Sequence, residues 1–372
     1  MAFEILTAEG KDAERWHALV SKLPPQRQDI HFLPEYGRIF QEAYGYSSHL
    51  AVFRSGGDVV IQPFVRRPLM NLPFLRDAAD REHFTDIANP YGYGGPVSNI
   101  GGAAAGGDIY REFAREFSAW CDEADIASEF ASLHPFMSDH QRALAGTVVM
   151  PLLQKQVVYV DLTQTQAAIA KGLRKGHRSS IAAARRAGAV VQRAAPTIDN
   201  LTRFNALYHA TMVRRQAAER WFVPANFFEN CLHQLGPDRS SLFFASVDGE
   251  IESGCLLVHD FSTAYYHFAS TRAGHPALGI NNLMIHEVIH WAQAAGFARL
   301  HLGGGVTGRA DDSLLRFKAG FSACRAPLYT YFSVRDQAIY DRLSERKRAY
   351  EITTLGRESR SGFLPLYRRE DA

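Results

Sequence analysis

Apolar and polar positions fall into the same order twice along this chain. From Leu50 it reads LAVFRSGGDVVIQPFV and from Leu242 LFFASVDGEIESGCLL. Each is an apolar strand, a glycine-containing turn with an acid after it, and a second apolar strand, the signature of a β-hairpin. Upstream of each hairpin stands a matching helix start, FLPEYGRIF from Phe32 and FVPANFFEN from Phe222, with Pro34 and Pro224 at equivalent places. Downstream of each a helix feeds a strand. In the first half these are EFAREFSAWCDEA and SEFASLHP, and in the second LMIHEVIHWAQAAG and FARLHLGG. The order helix, hairpin, helix, strand occurs twice, which predicts a duplicated unit. The division falls near Met150–Lys155, giving domains 1–153 and 154–372 with QVVYVDL as the first strand of the second. The first half carries an additional stretch that includes the glycine-rich NPYGYGGP, Asn89–Pro96.

Bulk composition supports two folded domains and removes several function classes. The 372 residues are 46% hydrophobic and 12% aromatic, ample for buried cores. A formal net charge of only +2 gives no global pull toward nucleic acid, so a DNA partner is not expected and any basic site must be local. No apolar run approaches the roughly eighteen residues of a membrane span. The start, MAFEILTAEGKDAERW, lacks a basic segment followed by an apolar one. Cys121, Cys231, Cys255 and Cys324 are scattered, as reduced thiols are. A cytoplasmic location is the expectation.

A local basic site is present. The segment Gln164–Ala187 is alanine-rich and predicts a helix, weakened at Gly172 and Gly176. Lys171, Arg174, Lys175 and Arg178 follow i, i+3, i+4, i+7 spacing, and Arg185 falls two turns further along the same face. Like charges so spaced repel by a few tenths of a kcal/mol each unless an anion lies against them. A solvated face is one outcome. The absence of any acid from Lys171 to Arg193 favours phosphate contact, from a nucleotide or a tRNA.

The second half resembles the FemAB-type transferases and the related GNAT-like acyltransferases. The features come in order from about Val157 to Ser333: VYVDL, the basic helix LRKGHRSSIAAARRAGAVV, LYHATMVRR, the hairpin, AYYHFAS, a helix ending in AAG, HLGGG and RFKAGF. YGYGGP in the first half also resembles that family. The resemblance implies an α+β fold of two tandem GNAT-like domains, mixed sheets flanked by helices around a shared cleft. It also implies acyl transfer forming an amide, with the aminoacyl group taken from aminoacyl-tRNA and passed to an amine on a peptidoglycan precursor or small metabolite. Aminoacyl-tRNA or acyl-CoA would then be a co-substrate, with no further cofactor and no metal. Ala187–Phe222 is too short for the long helical arm of some members.

The resemblance places Lys318 of RFKAGF at the reaction centre, where an ammonium stabilises an oxyanion. Its alternative is an ordinary surface lysine. Gly303, Gly304 and Gly305 end a strand and let backbone approach a substrate closely. Tyr91, Tyr93 and Gly94 belong to a loop whose phenols are candidate hydrogen-bond partners or proton donors, with core packing the commoner fate. Asp311 is a candidate to orient the acceptor amine, beside Asp312 as a helix cap. Tyr266 and His267 lie on the strand flanking the cleft of a GNAT fold, with His267 a candidate base.

Two further motifs test this reading. A CoA-binding GNAT carries Gln/Arg-x-x-Gly-x-Gly/Ala, whose amides cradle a pyrophosphate. In STRAGHPALGINNLM, Arg272, Gly274 and Gly279 remain, but Pro276 removes an amide and the spacing differs. An acyl-CoA-dependent N-acyltransferase is therefore the alternative rather than the leading expectation. His286-Glu287-Val288-Ile289-His290 matches the zinc-hydrolase pattern HExxH. The metzincin continuation has Gln293 and Gly296 where a glycine and a third histidine belong, and the glutamate following Glu287 is Glu345. His301 is the one plausible rescue ligand, and zinc hydrolysis is the remote alternative.

Overall fold

The computed structural model describes residues 1–75, 84–101, 107–273, 279–359 and 362–370. In chain order its strands are β1 Ala2–Thr7, β2 Ser47–Ser55, β3 Asp58–Pro68, β4 Thr85–Ala88, β5 Val97–Ser98, β6 Ile126–Ser132, β7 Leu152–Asp161, β8 Val190–Ala194, β9 Ser240–Val247, β10 Glu250–Asp260, β11 Thr263–Thr271, β12 Arg299–Gly303 and β13 Arg325–Val334. The helices are α1 Gly10–Ser21, α2 Pro34–Tyr44, α3 Gly107–Glu123, α4 Ser138–Ala145, α5 Gln166–Gly172, α6 Lys175–Arg186, α7 Ile198–Arg214, α8 Phe227–Arg239, α9 Ile280–Ala294, α10 Ser313–Lys318 and α11 Gln337–Leu355.

The chain forms two compact units, Met1–Leu153 with Leu328–Ala372, and Gln154–Pro327. Their sheets repeat one pairing pattern. In the first, β1/β2, β2/β3 and β3/β4 are antiparallel, β4/β6 parallel and β6/β13 antiparallel. In the second, β8/β9, β9/β10 and β10/β11 are antiparallel, β11/β12 parallel and β12/β7 antiparallel. Both hairpins form where the sequence predicts them, as β2–β3 and β9–β10. Each unit has its own apolar core. Phe64, Phe113 and Phe117 sit in the first, and Phe243, Leu257, Met284 and Ile289 in the second.

The expected second domain, 154–372, runs too far. Residues from Leu328 onward complete the first unit, because their apolar and ionic partners are there. Ile339, Tyr340, Leu343 and Tyr367 pack with Leu69 and Ala127. Arg368 forks onto the buried Asp86 at 2.6 and 3.1 Å, and Arg67 reaches the same carboxylate at 2.8 Å. Burial alone would raise the Asp86 carboxyl, but Arg368 and Arg67 hold it below its usual range. The strand that closes each sheet thus comes from outside the repeat: β13 from the C-terminal end, and β7 from ahead of the second copy.

The expected single basic helix is two. α5 stops at Gly172, Leu173 turns into extended backbone (φ −65°, ψ 132°) and is buried, and Arg174 caps α6 in a similar conformation. Two glycines within five residues make the break inexpensive, and the buried Leu173 rewards it. Lys171 therefore leaves the row. Lys175, Arg178 and Arg185 remain on α6 with Arg174 at its start, all exposed.

Candidate active site

In the second unit the parallel strands β11 and β12 pair from Thr263↔Arg299 to Tyr265↔His301, and pairing stops there while both strands continue. Two irregularities accompany the divergence. His267 is the extra residue of a bulge on β11, between the pairs Leu256↔Phe268 and Leu257↔Tyr266, and Leu302 is skipped in the pairing of β12 with β7. Bulges re-aim side chains and end pairing. Tyr266 and His267 lie on the departing part of β11, both half-buried. Tyr266 packs on the core, and burial lifts its phenol well above the usual range. The His267 ring stands edge-on to Phe268 at 4.6 Å.

At the end of β12 the three glycines meet two lysines. Lys318 Nζ donates to the Gly304 carbonyl at 2.9 Å, and Lys155 Nζ from β7 donates to the Gly305 carbonyl at 3.2 Å. A Cβ on Gly303 would stand 3.0 Å from Lys318 Nζ, and one on Gly305 would collide with the Asp312 carboxylate. Bare backbone is what lets these groups converge. Lys318 is half-buried, and desolvation with the like charge of Lys155 lowers its ammonium to about 8, against the pull of Asp312. Burial lowers Lys155 too, again opposed by Asp312. Asp312 caps α10 by accepting from the Leu315 amide at 2.9 Å, and accepts from the Thr307 amide at 2.8 Å. Burial would raise its carboxyl, but these donors bring it down to about 2. Sequence reasoning missed Lys155. Nothing local marks a lysine on a strand, and only the return of β12 beside β7 brings it to the glycines.

The RFKAGF segment is seated on α6. The Arg174 amide donates to the Gly320 carbonyl at 2.8 Å, and His177 Nε2 donates to the Phe317 carbonyl at 2.8 Å with its ring edge-on to Phe321. α6 also lies against α9. The Ser180 carbonyl occupies the place a Cβ on Gly279 would take, and Arg185 pairs with Glu287 at 2.7 Å.

Four further expected site residues make other contacts. Asp311 is exposed and forks with Arg309, two residues before it, at 2.9 and 3.0 Å. Gly94 is buried, its amide donates to Ser132 O at 2.8 Å, and it bridges in parallel to Leu133. Tyr93 is buried in the first unit with its ring edge-on to His31 at 5.1 Å and His134 at 5.3 Å. Burial lifts its phenol well above the usual range. Tyr91 is exposed, and its carbonyl accepts from the Tyr36 hydroxyl. Of the pyrophosphate stretch, Gly274 and Pro276 lie outside the described residues.

The HExxH rings of His286 and His290 lie edge-on at 4.5 Å, while Glu287 is engaged by Arg185. Among the described residues the metal-sized grouping is elsewhere, at buried Asp29, His31 and His134 in the first unit. There Asp29 bonds His31 Nδ1 at 2.6 Å and His134 Nε2 at 3.2 Å. His134 Nδ1 accepts from the Phe136 amide at 3.3 Å, so Nε2 carries the proton and the cluster is a carboxylate held by two imidazole N–H groups. The two histidines hold Asp29 well below its usual range despite burial.

Residues 171–318 match the family model for the acetyltransferase (GNAT) domain, a match that ends on Lys318. The second unit thus contains a GNAT acetyltransferase domain, which makes the chain a transferase. The whole chain is similar in structure to FemX, with a TM-score of 0.66 at 13% identity over 92% of this chain and 99% of that one. It is also similar to a protein from Agrobacterium fabrum described as the C-terminal domain of a putative lysylphosphatidylglycerol synthetase (TM-score 0.53, 15% identity, 92% and 96% covered). A third similar structure is a tandem GNAT protein from the clavulanic acid biosynthesis pathway (TM-score 0.51, 11% identity, 90% and 99% covered). The fold is the FemX-like tandem GNAT arrangement. No curated protein matches by sequence. No helix among the described residues is long and apolar enough to cross a membrane.

Proposed function

We propose that this protein forms an amide by moving an aminoacyl group from aminoacyl-tRNA to an amine, with Lys318 stabilising the oxyanion. The observation that carries the proposal is the half-buried Lys318 ammonium held at the bare Gly304 carbonyl, where β11 and β12 part. Aminolysis of an ester develops negative charge on the carbonyl oxygen only as the tetrahedral intermediate forms. A preorganised cation at that point favours the transition state over the ground state.

The choice of tRNA over CoA rests on two features and the FemAB resemblance. α6 is packed beside Gly279 at the N-terminus of α9, the helix whose first amides would have to cradle a CoA pyrophosphate. The cations of α6 are exposed, and Arg174, Lys175 and Arg178 lie next to the seat of Lys318. A phosphate backbone suits such a row. The acceptor is an amine of a cell-wall precursor or a small metabolite, and the reaction belongs in the cytoplasm, where charged tRNA is found.

The deciding experiment offers the protein charged tRNA pools and, separately, a panel of acyl-CoAs, with an amine mixture, and measures loss of the acyl group. Deacylation of tRNA that needs the amine and weakens steeply with salt is the expected result. Turnover of an acyl-CoA alone would replace this reading with the CoA-dependent one.

A further inference from the structure

Two ammonium groups within one small site are unusual, because each raises the free energy of the other. Lys155 and Lys318 reach the carbonyls of adjacent residues, Gly305 and Gly304, from different elements, β7 and α10. Neither bond is a surface accident. The Lys155 side chain lies along Gly304, where an added Cβ would stand 3.1 Å from its Cδ, and α10 is fixed by its Asp312 cap and by His177 beneath Phe317. Two other charged or titratable groups stand by the pair: Asp312 from the cap of α10, and His301 from β12 with its ring near Gly303. Asp312 spends its hydrogen-bonding capacity on Thr307 and Leu315, so it offsets the two positive charges only in part.

We propose that Lys155 is a positioning residue that makes Lys318 a proton carrier as well as an oxyanion stabiliser. The inference rests on the aminoacyl-transfer reading. An isolated lysine holds its proton too tightly to pass it on near neutral pH, whereas a neighbouring ammonium in a desolvated site loosens it. A carrier works best when its affinity for the proton lies near the working pH. As the tetrahedral intermediate collapses, the bond from the acyl carbon to the leaving ester oxygen breaks and the electron pair goes to that oxygen. The oxygen takes a proton from the Lys318 ammonium. The neutral Lys318 then removes the extra proton from the newly bonded nitrogen, leaving a neutral amide and a restored ammonium. No outside acid or base is consumed.

The direct test is the protonation of Lys318 itself, followed by NMR on full-length protein with isotope-labelled lysine, its signal assigned through Lys318→Arg. In Lys155→Met the Lys318 pKa should rise by about one unit, while Lys155→Arg keeps it near the wild-type value. With charged tRNA as donor, the alkaline limb of the kcat profile should move upward in Lys155→Met by the same interval, and KM should stay within about twofold. A Lys318 pKa unmoved in Lys155→Met, with the fold intact by circular dichroism, would overturn the proposal. So would a Lys155→Met enzyme that loses activity equally at every pH, the mark of a merely structural lysine. Because the NMR measurement needs no substrate, it stands apart from the donor test. A shifted pKa with no turnover of charged tRNA would overturn the functional reading and the proton-carrier step while leaving the electrostatic coupling established.

Discussion

The same strand pair is closed in one unit and open in the other. In the first, parallel β4 and β6 pair from Thr85↔Ile126 to Ala88↔Phe130, and beyond them Gly94↔Leu133 bridges the gap again. Gln141 donates to the Gly94 carbonyl at 2.7 Å, and Asn89 accepts from the Ser132 amide at 2.7 Å. Tyr93, His31 and His134 fill the space beneath. In the second unit β11 and β12 part after Tyr265↔His301, and β12 runs out into three glycines that face two lysines. A duplicated fold offers two equivalent clefts. Here one has been zipped shut with hydrogen bonds and rings, and the other kept open with backbone and charge. Under the proposed reading the chemistry belongs at the open end, where Lys318 and Lys155 gather on the glycine carbonyls.

The largest effect should come from removing the charge at the open end. Lys318→Met is expected to lower kcat by about two to three orders of magnitude with little change in KM, the usual loss for one oxyanion donor. Lys318→Arg keeps the charge in a broader head group and should retain part of the activity. Stability should move the opposite way. The folded pKa of about 8 lies below that of a lysine in the unfolded chain, so the folded state binds the proton less tightly. That cost is fully present below the folded pKa and is relieved as the pH rises toward the unfolded value, so Lys318→Met should melt above wild type near neutral pH. Turnover on the preferred donor, with thermal melts at neutral pH, checks both halves. Wild-type kcat in Lys318→Met would remove the reaction centre from this cleft.

One glycine from each end divides the two clefts further. An alanine at Gly305 would press on Asp312, and one at Gly94 on the Asn89 side chain. At the closed end the penalty should be purely structural, on the order of 1–3 kcal/mol, as for overpacking in a core. The folded fraction of Gly94→Ala should then have wild-type kcat/KM. At the open end Gly305→Ala displaces the Asp312 cap and with it Lys318, so activity should fall about tenfold for the roughly 1.4 kcal/mol of lost transition-state binding that tenfold represents. Denaturant melts and kinetics on both variants read the contrast. A Gly94→Ala enzyme that folds well but works poorly would show that the first unit's loop also takes part in catalysis.

Much of this was legible in the chain and some of it could not have been. The hairpins β2–β3 and β9–β10 announce themselves because strand alternation and turn residues are local signals. Lys318 and the GGG run were placed by their order in a family pattern, and the structure brings them together. Lys155, by contrast, meets Gly305 across 150 residues, and Asp29 meets His134 from a similarly distant part of the chain; no local pattern encodes such contacts. The break between α5 and α6 was hinted at by Gly172 and Gly176, but whether a helix bends there depends on the burial of Leu173, a tertiary fact. The tail from Leu328 onward was misassigned for the same reason, since its affinity for the first unit lies in Asp86 and the apolar residues around Leu69. YGYGGP carries a second, local reason for its glycines: Gly92, Gly94 and Gly95 sit where a backbone presses against neighbouring side chains.

The smallest effect is predicted for the motif that looks most like an enzyme. Glu287 would be the general base of a zinc hydrolase, and Glu287→Gln would then abolish activity. In the structure its carboxylate instead pairs with Arg185 across α6 and α9, with both side chains partly exposed to water. Exposed pairs of this kind are worth about 0.2–1 kcal/mol, so Glu287→Gln should barely shift the melting temperature and leave kcat unchanged. It should, however, release Arg185, the far end of the exposed basic row on α6. If that row receives the tRNA backbone, freeing one more cation tightens binding of charged tRNA by a few-fold and steepens its salt dependence by close to one further counterion. Filter binding at several salt concentrations, for wild type and Glu287→Gln, measures this directly. Tighter, steeper binding with intact turnover assigns α6 to the donor. Identical binding curves would return Arg185 to the solvent, and a loss of turnover would revive the hydrolase that the Arg185 pairing argues against.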